Sequence, residues 1–345
     1  MGYADLSPER LLTALDAVGL RGDGRLIQLN SYENRVFQVF LEDGSVVVAK
    51  AYRPGRWSDA QILEEHAFAL EAAAAEVPVV PPRVLRATDE AGDPTAALRP
   101  VAEPTLACWP YADGNTGTGR GLRLAVADRH AGREPELDDP EVLLRIGRFL
   151  GRLHAVGRRR AFEHRLTMRP AADAQAAIDT LVADDAVPPD QRPAWEQAAR
   201  RAAGLIAAAF AATPPQRLMR LHGDCHPGNI LWRDGVPHVV DLDDAIQGPA
   251  VQDLWMLASG DSATMQHRLG HLLEGYGAFG DFDARELSLI EPLRTLRMLR
   301  HSAWLAARWS DPSFPLNFPF FGSAAYWSQQ TTQLREQIEA MEDGA

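Results

Sequence analysis

Apolar and polar positions follow two different rhythms along this chain. In the first part the period is two. Arg35-Val36-Phe37-Gln38-Val39-Phe40 and Ser45-Val46-Val47-Val48-Ala49-Lys50 are β-branched and aromatic runs joined by Glu42-Asp43-Gly44, which predicts a hairpin. A helix is predicted on either side of it. The first opens at Ser7-Pro8-Glu9, with proline in its first turn, and ends near Gly19. The second opens at Ser58-Asp59-Ala60-Gln61, a capping box, and runs to about Ala75, where the Pro-rich stretch Val77 to Pro82 stops it. Two more strand-like runs, near Ala96 to Val101 and Leu106 to Trp109, complete a small sheet, and Pro110 to Gly121 reads as a hinge.

Beyond the hinge the period lengthens to that of a helix. Asp139-Pro140 starts a segment with Val142, Ile146, Phe149, Leu150 and Leu153 on one face. Further helices are predicted over 171–183, 194–212, 252–260, 263–277, 284–309 and 323–341, with Pro292 kinking or interrupting its own. The expected architecture is α+β and bilobal, like that of a protein kinase. A small antiparallel β lobe with one main helix would occupy residues 1–110, and a larger, mostly helical lobe 111–345, with the catalytic cleft between them.

Composition narrows the class. At 345 residues the chain exceeds one ordinary core, and 46% hydrophobic with 24% charged residues describes a soluble globular protein. The longest apolar run, Ala202 to Ala212, is too short to span a bilayer, and Met1 to Leu20 lacks the pattern of a signal peptide, so a cytoplasmic monomer without membrane contact is expected. Two cysteines, Cys108 and Cys225, build neither a disulfide framework nor a zinc site. A net charge of −12 argues against nucleic acid as a partner.

The candidate chemistry lies in Leu221-His222-Gly223-Asp224-Cys225-His226-Pro227-Gly228-Asn229 and in Asp241, which follows a second β-branched run. The spacing is that of the phosphoryl-transfer loop H-R-D-x-x-x-x-N with its downstream metal aspartate, with Gly223 where the arginine would stand. Phosphoryl transfer needs a carboxylate beside the acceptor hydroxyl, here Asp224. It also needs an amide oxygen and a second carboxylate, Asn229 and Asp241, to hold Mg2+ against the phosphates of ATP. Lys50 ends the V-V-V-A-K strand, the position from which a kinase lysine reaches the phosphates. Glu65, inside the capped helix, is a partner for Lys50, with Glu64 competing and a solvated helix charge as the plain reading. Asn30-Ser31-Tyr32-Glu33-Asn34-Arg35 stands where a glycine-rich phosphate loop belongs but has no glycine. Ser31 could offer its hydroxyl or N–H to the nucleotide; an ordinary polar turn is the alternative. His222 reads as a support of the loop, Asp243 and Asp244 as solvated surface, and Arg158-Arg159-Arg160 as helix-end solvation. Cys225, beside the base, raises the idea of a redox switch, against the commoner case of a bystander thiol.

The segments Ser31 to Val36, Tyr52 to Trp57, Gln61 to His66, Leu221 to Asp234, Val240 to Ala245, Gly248 to Trp255 and Asn317-Phe318-Pro319 resemble the aminoglycoside-phosphotransferase/choline-kinase branch of kinase-like proteins. Within that branch they resemble the stress-response Ser/Thr protein kinases of bacteria. The resemblance implies an ATP-dependent, autophosphorylating kinase of protein Ser/Thr. It implies Asp224 as base, Asn229 and Asp241 as magnesium ligands, Ser31 at the nucleotide, and Asp253 as a brace of the catalytic loop. One departure is expected: Asp113 to Leu137 is longer than usual, with extra residues around Leu122 to Val126, beside the cleft. Other readings are a small-molecule kinase acting on an amino alcohol, sugar or aminoglycoside, and a silent nucleotide-binding scaffold. A metallophosphoesterase using His222, Asp224 and His226 is disfavoured, because the further His and Asp clusters of a two-metal site are missing.

Overall fold

The computed structural model describes residues 6–86, 101–110, 121–214 and 217–343. Most of the run near Ala96 to Val101, and residues 111–120 of the expected hinge, lie outside them. In the N-terminal half, β1 (Gly22–Leu29), β2 (Arg35–Leu41), β3 (Val46–Ala51), β4 (Val101–Glu103), β5 (Leu106–Pro110) and β6 (Gly121–Asp128) form one six-stranded sheet of order β1-β2-β3-β6-β5-β4. Every neighbouring pair is antiparallel.

Strand alternation decides which side chains meet the core. Phe37, Val39 and Leu41 of β2 and Val47, Ala49 and Ala51 of β3 are buried, and α1 (Pro8–Asp16) covers that face with Leu11 and Leu15. Lys50, between two buried alanines, projects from the opposite face. That face is covered by α2 (Asp59–Ala74), whose capping box at Ser58 and Gln61 forms as expected. Ile62 of α2 packs with Tyr52, Leu106 and Ala125. The far side of α2, at Phe68, Ala69 and Ala72, enters the core of the C-terminal half.

Two sequence expectations change here. Leu122 to Val126, expected as extra residues beside the cleft, is the middle of β6, hydrogen-bonded between β3 and β5, with Leu124, Ala125 and Val126 buried and the last two lining the cleft. The expected division at residue 110 therefore falls inside the sheet, which continues to Asp128, and the link to the first helix of the second half is Arg129 to Asp139. The helix expected over 252–260 is a 3₁₀ turn, Ala250–Asp253, followed by turns.

The C-terminal half contains α3 (Pro140–Gly157), α4 (Pro170–Ala183), α5 (Arg192–Ala212), α6 (Ser262–Gly277), α7 (Ile290–Ala307), α8 (Ser313–Asn317) and α9 (Ala324–Asp343). Pro292 lies in the first turn of α7, after a 3₁₀ segment Ala284–Leu289, where a missing N–H costs nothing. Between α5 and α6 run β7 (Met219–Leu221), β8 (Ile230–Arg233), β9 (Val236–Val239) and β10 (Ile246–Gly248). β7 pairs with β10 and β8 with β9, so the loops after β7 and β9 are brought side by side. Among the described residues no helix is long and apolar enough to cross a membrane.

Candidate active site

The loop after β7 is held from behind by one buried carboxylate. Asp253 accepts the N–H of His222 and of Gly223, each at 2.8 Å, and its other buried neighbour is His154 at 3.1 Å. His222, fully buried, contacts the Val240 carbonyl through Nε2 at 2.9 Å and so ties this loop to the one after β9. Gly223 has φ +86°, and a Cβ there would collide with the Asp244 main-chain oxygen, which explains why no arginine occupies this position.

The result is a fixed presentation of Asp224, Asn229 and Asp241 in one cleft of about 1120 Å³, which Ser31, Lys50 and Glu65 also line. Asp224 is paired with the Arg297 guanidinium of α7 and lies 3.5 Å from His226. Burial pushes its carboxyl up, but Arg297 and His226 outweigh this and leave it below the usual carboxylate range. Asn229 donates its amide N–H to the Asp224 main-chain carbonyl at 3.0 Å, a bond that does not use its amide oxygen. Asp241 stands at the turn after β9 in the left-handed region, φ 63°, with its side chain half exposed to the cleft. Among the described residues no three His, Cys, Asp or Glu side chains form a metal cage. An amide oxygen and a carboxylate fit Mg2+ nonetheless, because that ion keeps water and takes phosphate oxygens as its remaining ligands.

Lys50 joins the two halves, though through other partners than Glu65. Its Nζ lies 3.3 Å from Asp241 and 3.5 Å from Asp243. Glu65 is buried beside it, with one carboxylate oxygen making no hydrogen bond. Burial raises the Glu65 carboxyl to about 7 despite the Lys50 charge. His66 lies 3.7 Å from Glu65, yet burial holds it neutral, near 3, between Tyr52 and Thr105, so that contact is no ion pair. Glu64 serves elsewhere, accepting the main-chain N–H of residues 163, 164 and 165.

Asp243 is the residue that sequence reasoning misplaced. It is buried rather than solvated, and takes Asn34 at 3.0 Å, Arg56 at 2.5 Å and Lys50. Burial opposes its charge, but these neighbours hold the carboxyl well below its usual range. Asp244 pairs with the same Arg56. The available signal was Arg56 itself, inside the Tyr52-Arg53-Pro54-Gly55-Arg56-Trp57 segment, a cation that the motif chemistry leaves unassigned. Arg297 left no signal, because an arginine 73 positions from Asp224 has no local pattern. Cys225 is buried and its thiol is pushed up, away from the thiolate that redox chemistry needs.

Residues 25–290 match the family described as Phosphotransferase enzyme family. Stress response kinase A of Escherichia coli (strain K12) is 40% identical, over 99% of this chain and 95% of its own length. The Serine/threonine protein kinase RdoA of Salmonella typhimurium (strain LT2) is also 40% identical, over 99% and 95%. Among solved structures, amicoumacin kinase in complex with AMP-PNP, Ca2+ and Ami superposes with a TM-score of 0.72 at 17% identity, covering 98% of this chain and 94% of that one. A microcompartment-associated aminopropanol kinase gives 0.65 at 17% identity, covering 97% of each chain. These two establish the kinase-like fold alone.

Proposed function

This chain belongs to the phosphotransferase enzyme family, and within it we propose an ATP- and magnesium-dependent kinase of protein serine and threonine residues. What carries the reading is the convergence of Lys50, Asp224, Asn229 and Asp241, from three separate segments, on one cleft. The names of relatives that match nearly the whole chain support the protein acceptor.

The donor phosphates would lie over Lys50, which trades its contact with Asp241 for phosphate oxygens while Asp243 keeps it oriented. Asn229 and Asp241 would hold magnesium, which when bound offsets the charge of the phosphates. Asp224 would accept the proton of the acceptor hydroxyl as its oxygen bonds to the terminal phosphorus and the bond to ADP breaks. Ser31 lines the same cleft from the loop before β2 and is assigned to the nucleotide. The alternative acceptor, a small hydroxyl compound, is supported by a cleft large enough for a nucleotide and a second small ligand. Radiolabelled ATP with magnesium, offered with a generic protein substrate or a panel of small alcohols, separates the two. Label in the alcohols and none in protein would retire the protein-kinase reading.

A further inference from the structure

The acceptor side of the cleft is built from one face of α7. Leu293, Arg297, Arg300, His301 and Trp304, spaced three, four and seven apart, all line it. Arg297 contacts Asp224 itself, so this face stands at the reacting carboxylate and not at the donor phosphates, which Lys50 marks. The charges along the cleft are not evenly committed. Glu33 is held by Arg308, Asp243 and Asp244 by Arg56, and Asp241 by Lys50. Arg300 is exposed and makes no ion pair or hydrogen bond to any described residue. In a chain of net charge −12, the uncommitted charge beside the base is positive.

We propose that this cleft selects an acceptor bearing negative charge next to its hydroxyl, with Arg300 as the specificity residue and Arg297 as the group that passes from Asp224 to the acceptor's anion. The proposal rests on the reading of Asp224 as the base and adds the charge class of the acceptor. An anion arriving at Arg297 gives that guanidinium a second partner and frees a carboxylate oxygen for the incoming hydroxyl. A cationic acceptor would meet Arg300 as a like charge and leave Asp224 engaged.

The test uses the full chain with magnesium and radiolabelled ATP. Serine peptides flanked by Glu, Ala or Lys form one arm; glycerate, glycerol and ethanolamine form the other. The expected result is a preference of about tenfold in kcat/KM for the anionic member of at least one arm, shrinking as salt is added. Arg300→Gln should remove that preference and Arg300→Glu should invert it, each keeping the thermal shift produced by magnesium-ATP as the sign of an intact fold. Equal use of all charges, no use of any anionic acceptor, or an unchanged order in Arg300→Glu overturns the proposal. Peptide labelling without charge preference, together with no preference for glycerate, rejects the proposal alone. Labelling of glycerate and of no peptide instead rejects the protein acceptor and keeps the anion rule.

Discussion

At the scale of single residues, the cleft separates groups that act from groups that hold. Asp224 is ionised and reachable, so Asp224→Asn should retain ATP binding while kcat falls ~10²–10⁴-fold, the usual contribution of a general base. Full activity of that variant on every acceptor would remove Asp224 from the role. Lys50 has a double duty, because it also neutralises the buried Asp243. Lys50→Ala should therefore lower thermal stability as well as ATP use, since removing one partner of a buried pair strands the other charge. A variant that melts with the wild type would show that Arg56 and Asn34 satisfy Asp243 by themselves. Glu65 has the opposite sign. Its folded carboxyl titrates near 7, above its usual value of 4.5, so between those values the folded state holds a proton that the unfolded state has lost. Stability should then fall as pH rises from one value to the other and level off above, a loss on the order of a few kcal/mol, because a tenfold change in proton activity is worth roughly 1.4 kcal/mol. Denaturant titrations at pH 5 and pH 8 check this, and Glu65→Gln should flatten the slope.

At the scale of elements, helices were legible and the sheet only partly. The segments that became α3, α4, α5, α6 and α9 carry long apolar periodicity, which survives because a helix makes its own hydrogen bonds. β1, Gly-Asp-Gly-Arg-Leu-Ile-Gln-Leu, is a largely exposed edge strand with no alternation to read. β6 is apolar in its middle but follows a Gly- and Thr-rich stretch, and strand identity there comes from β3 and β5 on either side. The α3–α6 crossing depends on glycine in a way that periodicity does not reveal. A Cβ on Gly147 would strike the Leu272 carbonyl, and one on Gly275 the Leu144 carbonyl. Gly147→Ala should therefore destabilise the protein by about 1–3 kcal/mol, despite alanine's better helix propensity. An unchanged denaturation midpoint would mean that the helices can part without loss.

At the scale of the whole molecule, the two halves are latched across the cleft. Glu33, in the loop expected to cover the nucleotide, takes Trp304 at 2.7 Å and Arg308 at 2.6 Å from the C-terminal half, while Arg53 reaches Asp311 at 3.0 Å. The segment between Asp241 and Asp253 is also tied to the C-terminal half. Arg165 donates to the main-chain oxygens of Asp243 and Ala245, and no Ser, Thr or Tyr lies within it. An order–disorder switch driven by phosphorylation has no room there, so the protein should be active as synthesised. Initial rates before and after phosphatase treatment should agree. A lag that disappears only after incubation with ATP would show the contrary.

The sequence by itself determined the class of chemistry, since His222, Asp224, Asn229 and Asp241 lie close enough in the chain for their spacing to point to phosphoryl transfer. It also determined the helical half and the hairpin that presents Lys50, because periodicity is a local property. The tertiary structure alone decided what those residues touch. Asp243 became a buried counter-charge, Lys50 turned to it instead of Glu65, and Arg297 arrived at Asp224 from α7. Ion pairs between distant segments follow from which surfaces the core brings together, and apolar burial, which assembles that core, carries no information about charge partners along the chain.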